Sequence, residues 1–179
     1  MIFRHLFILL AAAVFSLDAA YDNVLLRIHA KVFPKMVMSD TEIAQKAFDG
    51  SIVIGIVYEE GERADAEQLR QLIEELYPRI GSYTLRVKLL AYRTFLGKPE
   101  VAASALFLLN GSSRNLHSAV EFAREHSIVT YAYNPSYLKE GVLMSLYIDQ
   151  KTRPYLNLTE AKSYNIRFSN ILLKIAKLL

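Results

Sequence analysis

"SIVIGIVY", residues 51–58, decides the fold. The run is apolar almost throughout and rich in Ile and Val. A strand with one wet face alternates; this one does not. It therefore reads as a strand buried on both faces, which is the position of a central strand in a parallel sheet. The chain beyond it supports that reading. Glu59-Glu60-Gly61-Glu62 is a connection. Ala64–Tyr77 reads as a helix with Leu69, Leu72, Ile73 and Leu76 inward, ended by Pro78 and Gly81. Tyr83–Tyr92 alternates in part, at Leu85, Val87 and Leu89, and predicts a second strand. Val101–Leu109 predicts a third strand, Ser113–Glu125 a helix with Leu116, Val120 and Ala123 on one face, and Ser127–Tyr133 a fourth strand.

Outward from this block the pattern changes. Upstream, Tyr21–Phe33 reads as an amphipathic helix carrying Val24, Leu25, Ile28, Val32 and Phe33, with Pro34 closing it. Ser39–Phe48 reads as a loop with a short turn. Downstream, Pro135–Lys139 is a helical turn stopped by Gly141. Leu143–Asp149 and Arg153–Asn157 flank a hairpin turn. Thr159 is placed as an N-cap, and Ser169–Leu179 predicts a strongly apolar C-terminal helix. Its band of Ile171, Leu172, Ile175, Leu178 and Leu179 either closes the sandwich or meets a partner, with Lys174 and Lys177 on the wet side. The expected fold is α/β: a layered sandwich with a largely parallel central sheet, right-handed crossovers, helices on both faces and a late antiparallel hairpin at one edge.

The chain has 179 residues, 53% of them hydrophobic, enough for one well-filled domain. It contains no cysteine, which excludes disulfides, thiolate metal sites and cysteine catalysis. The formal charge is +3 and the basic residues are scattered, so nucleic acid is not an expected partner. The N-terminus carries a compartment signal. Met1–His5 is a short basic segment, Leu6–Phe15 an apolar run, and Ser16–Ala20 offers small residues for cleavage after Ala19 or Ser16. An uncleaved anchor is the alternative, but the run is shorter than the roughly 20 residues that span a bilayer. Residues 1–19 are thus expected to be a secretory signal and residues 20–179 a single exported, periplasmic domain with no membrane insertion of its own.

Chemistry is sparse. The histidines at 29, 117 and 126 have no metal-ligand spacing, so solvated or capping roles are expected. No G-x-S-x-G turn supports a serine triad. The acidic Glu59–Glu62 loop fits no cation motif and reads as solvated. No enzyme activity, metal or cofactor is expected. Two features can hold a ligand. Asn110-Gly111-Ser112-Ser113 follows a strand and opens a helix, whose free N–H groups suit an anion. It lacks the glycines and lysine of a nucleotide loop, and a serine cap explains it equally. Tyr133 and Tyr137, near Asn134-Pro135, would lie at strand ends, either stacking a planar solute or packing the rim.

The tail carries a resemblance. "YLNLTEA" (155–161) and "IRFSNILLKIA" (166–176) resemble the C-terminal signature of the YfiR/HmsC-like family of bacterial periplasmic proteins, the DUF4154 group. "NVLLRIHAKVFPKMV", "IVIGIV" and "ALFLLNGSS" look like its first helix and two of its strands. The resemblance spans residues 21–179. It implies a periplasmic α/β regulator or adaptor, not an enzyme, that binds the periplasmic part of an inner-membrane signalling protein such as a diguanylate cyclase. A homodimer is compatible with this, and a binding module for a small anionic or aromatic solute is the alternative. This chain departs from the family in having no cysteine pair, in carrying Val37-Met38 at the end of the first helix in place of Trp, and in keeping only the aromatic Tyr137 of a family loop.

Overall fold

Ser51–Tyr58 forms strand β1, and all eight of its residues are buried. It runs between two parallel neighbours, β3 (Tyr83–Ala91) and β4 (Ala105–Leu108), which take up both its edges, and the burial of every one of its side chains means that neither face meets water. The computed structural model describes residues 23–95 and 101–179, and the expected signal segment lies outside the described residues. Beyond β4 the sheet continues through β5 (Val129–Ala132), β6 (Met144–Ile148), β7 (Thr152–Leu156) and β8 (Lys177–Leu178). On the other side β2 (Arg79–Ile80) borders β3, giving the order β2-β3-β1-β4-β5-β6-β7-β8. Among the strand pairs of the described residues, β2–β3 and the β6–β7 hairpin are antiparallel and the others parallel. The mainly parallel sheet is the one that the buried run at 51–58 predicts, and the late hairpin is the one expected around 143–157, but it does not end the sheet as expected, because β8 pairs with its outer strand β7.

Helices α2 (Arg63–Leu76) and α4 (Ser113–Glu125) make the crossovers. The chain moves one way across the sheet from β1 to β3 and the other way from β4 to β5. Right-handed connections therefore put α2 and α4 on opposite faces. Helix α2 buries Ala66, Leu69, Leu72 and Ile73. Leu76, expected inward, is 41% exposed as the last residue of the helix.

The N-terminal helix α1 (Asn23–Val37) packs beside α2 and runs through Pro34 rather than stopping at it. An interior proline costs about 3 kcal/mol. Against that, Leu26, Ala30, Phe33, Met36 and Val37 are buried on α1, and each large apolar side chain contributes about 1.5–3 kcal/mol. Tertiary burial outweighs the local rule. The following loop is stapled to the C-terminal segment: Thr41 N–H donates to the Arg167 carbonyl at 2.9 Å, and Ser169 N–H to that of Ser39 at 2.8 Å. Buried Asp40 pairs with Lys46 at 2.5 Å.

The C-terminal third departs most from expectation. The N-cap of the short helix α5 (Leu158–Ser163) is Asn157, not Thr159; its carboxamide oxygen accepts the Glu160 N–H at 3.0 Å. The predicted long terminal helix is only α6 (Asn170–Ile175), capped by Ser169, after a single-turn helix α3 (Tyr92–Phe95) earlier in the chain. Lys177 and Leu178 instead pair with Tyr155 and Leu156 as an edge strand. The segment takes its backbone partners from β7, the Leu179 N–H donating to the Leu156 carbonyl at 2.8 Å. Lys177, expected on a wet helix face, lies 3.4 Å from the centre of the Tyr147 ring.

Candidate functional site

The strand order reverses between β1 and β4. In open α/β sheets ligands gather at that point, outside the carboxyl ends of the strands. Two segments meet there: Glu59–Glu62 after β1 and Asn110–Ser112 after β4. Ser112 caps α4, its hydroxyl accepting the Asn115 N–H at 3.3 Å, while Ser113 is the first helical residue and exposed. The Ser112 N–H does not face open solvent. It donates to Glu59 Oε1 at 3.2 Å, and the Asn115 side-chain amide donates to the same oxygen at 2.8 Å. The Asn110 amide donates to Glu62 Oε1 at 3.1 Å. Two carboxylates of the acidic loop thus sit on the positive end of α4, where the helix dipole favours them. The loop is bound to the helix start rather than solvated throughout.

The tyrosines divide. The Gly111 N–H donates to the Tyr137 hydroxyl oxygen at 3.2 Å. On its other side Gly111 abuts the fully buried Tyr92; a Cβ at 111 would stand 2.8 Å from the Tyr92 ring, so this approach requires glycine. Burial, reinforced by Tyr137, Glu59 and Glu62, pushes the Tyr92 hydroxyl far above its ordinary pKa. Asn110, Gly111, Ser112 and Tyr137 are therefore brought together as one hydrogen-bonded corner. Tyr133 turns elsewhere, its ring centre 4.7 Å from that of His29.

His29 is a correction to the expectation of solvated or capping histidines. It is 1% exposed on α1, its Nδ1 shares a 2.6 Å hydrogen bond with the Tyr131 hydroxyl, and Phe107 packs edge-on against it. Burial lowers its pKa to about 3 and raises that of Tyr131, so both are neutral. His126 does take a helix-end role, Nδ1 lying 2.8 Å from the Phe122 carbonyl. The helical spacing Leu26, His29, Phe33 was the available signal for burial; nothing local marks Tyr131 as its partner.

Beside the junction lies a cleft of about 280 Å³ at the carboxyl ends of β1 and β3, lined by Tyr58, Glu60, Arg63, Leu89, Phe95 and Val101 among others. At about 30 Å³ per water it holds roughly nine waters' volume. Among the described residues, neither Glu60 nor Arg63 has a salt-bridge partner, so a carboxylate and a guanidinium line one apolar-walled cleft. These residues carry no sequence motif. A second cleft, of about 240 Å³, contains Lys46, Phe48 and His126 at the opposite end of the sheet. No group of acidic and histidine side chains suited to a metal occurs among the described residues. No described helix is long and apolar enough to cross a membrane.

No family model matches the chain, and no curated protein matches it. Among solved structures it is similar to an ABC domain from Streptococcus pneumonia in complex with L-Trp, with a TM-score of 0.55 and 14% identity over 80% of this chain and 60% of that one. It is also similar to a conserved domain protein from Vibrio cholerae, with a TM-score of 0.59 and 14% identity over 86% of this chain and 59% of that one. The chain spans about three-fifths of the length of each. At this identity the likeness is one of α/β fold.

Proposed function

We propose that this protein is an exported, non-catalytic module that captures a small solute in the cleft at the carboxyl ends of β1 and β3. The observation that carries the reading is the pairing of Glu60 and Arg63 with an aromatic and aliphatic wall in one cleft of about 280 Å³. Opposite charges over an apolar floor suit a compact solute with a charged head and a planar or aliphatic body. The Streptococcus pneumonia neighbour, in complex with L-Trp, is in keeping with a solute of that size. A non-catalytic role accords with the chemistry nearby: His29 is buried away and neutral, and the carboxylates of Glu59 and Glu62 are held by Ser112, Asn115 and Asn110. The test is thermal unfolding with a panel of amino acids, aromatic carboxylates and amines. A ligand at 100 times its Kd adds about 2.7 kcal/mol, which raises Tm by about 5–10 °C in a chain of this size. Arg63→Gln should remove the shift for carboxylates. A flat panel refutes the reading.

A second reading, the regulator of an inner-membrane signalling protein, is favoured by the C-terminal surface. Ile171, Ile175, Leu178 and Leu179 remain exposed around α6 and β8. Leu179→Asp should then change the output of such a partner, cyclic diguanylate if it is a cyclase, without lowering Tm. A lowered Tm with unchanged output counts against it.

A further inference from the structure

The sheet edge remote from the C-terminus is formed by β3 along most of its length. β2 covers only its start, Arg79 pairing with Thr84 and Ile80 with Tyr83. Two backbone bonds establish which groups face outward. The Thr84 N–H donates inward to the Gly50 carbonyl at 3.2 Å, and the Leu85 N–H donates outward to that of Pro78 at 3.4 Å. Backbone direction alternates along a strand, so Val87 and Leu89 also turn their N–H and C=O groups away from β1. No hydrogen bond among the described residues meets those outward groups.

The second observation is charge. From Leu76 to Phe95 the sequence contains Arg79, Arg86, Lys88 and Arg93 and no Asp or Glu. All four cations are exposed, and Arg86 and Lys88 share a strand face two residues apart. Four of the 21 Lys and Arg residues thus lie on this edge or just beyond its end. Cations protect an open edge from indiscriminate pairing. They also select what does pair: in strand addition, main-chain bonds supply affinity and alternate side chains set the register.

We propose that the free edge of β3, from Arg86 to Ala91, docks an extended acidic peptide segment of a partner protein, which adds as a further strand. β2 and Pro78 before it block the edge through the Leu85 N–H. At the far end Glu60 lines the cleft beside Leu89, Leu90 and Ala91. The acidic residues of the segment therefore align with Arg86 and Lys88 and its uncharged end with Glu60. A second copy is the poorer occupant, because two β3 edges would bring Arg86 and Lys88 against their own kind.

The probe is a fluorescently labelled peptide of about eight residues alternating Glu and Val, compared with its Lys-and-Val counterpart and with a version N-methylated at alternate residues. The Glu peptide should bind the full chain. The other two should bind at least about tenfold more weakly. The double variant Arg86→Glu, Lys88→Glu, its fold checked by circular dichroism, should lose the Glu peptide by a similar factor and gain the Lys peptide. The Val87 and Leu89 amides should shift in NMR spectra and become protected from exchange on binding. No binding at millimolar peptide overturns the proposal and leaves the cations as edge guards. Equal binding of the N-methylated peptide overturns strand addition. Dimerisation in sedimentation that the double variant abolishes assigns the edge to a second copy instead.

Discussion

His29→Gln should flatten the acid side of the stability curve. The His29 ring is enclosed by Phe107, Tyr131 and Tyr133, and burial brings its pKa from 6.5 down to about 3. The unfolded chain takes up a proton there as pH falls through 6.5, whereas the folded protein holds off until about 3. The unfolded state therefore binds more protons throughout that window. Stability is fully present above about 6.5 and is lost as pH falls toward 3. The gap sets a ceiling of about 5 kcal/mol, at about 1.36 kcal/mol per pH unit. Between pH 7 and 5, where ordinary carboxylates stay mostly ionised, His29 alone costs about 2 kcal/mol, or about 4–8 °C in Tm. The assay is urea unfolding at pH 7, 6 and 5 for the wild type and His29→Gln. Glutamine keeps a group that can bond the Tyr131 hydroxyl and takes no proton, so any fixed cost of the replacement drops out of the comparison. The stability of the variant should change by about 2 kcal/mol less than that of the wild type over this range. Equal pH dependence in the two proteins refutes the reasoning.

Ser112→Ala should cost about 0.5–2 kcal/mol in denaturant unfolding through loss of the α4 cap, and Ser113→Ala should cost much less; equal costs would mean that the cap lies elsewhere. Gly111→Ala puts a methyl 2.8 Å from the Tyr92 ring, which is fully buried, and should destabilise by about 1–3 kcal/mol, part of it recovered with Tyr92→Leu in a double-mutant cycle. Asn157→Ala removes both the α5 cap and the 2.8 Å bond from its side-chain amide to the buried Leu138 carbonyl, so a loss of about 2–4 kcal/mol is expected, whereas Thr159→Ala should be near neutral.

What the sequence by itself determined is local. The unbroken apolar run of β1 requires two covered faces, and the spacing of Leu116, Val120 and Ala123 requires one helix face inward, so the layered α/β architecture is legible without coordinates. Gly141 stops the turn before it at φ 96°, a conformation that glycine adopts freely, and the polar turn between β6 and β7 sets their antiparallel pairing. The tertiary structure decided everything that depends on which elements become neighbours. Lys177-Leu178 is a strand because β7 offers an edge, although its spacing reads as helix. Pro34 stays inside α1 because the face around it is buried. Glu59 meets Ser112 across 53 positions, and His29 meets Tyr131 across 102. Such pairs leave no periodic trace, since each residue type is compatible with many surroundings. The candidate cleft is of the same kind: Glu60 and Arg63 look like ordinary surface charges until the ends of β1 and β3 set them against Leu89, Phe95 and Val101. Local chemistry is written along the chain, whereas burial and partnership arise only once distant segments share one desolvated volume.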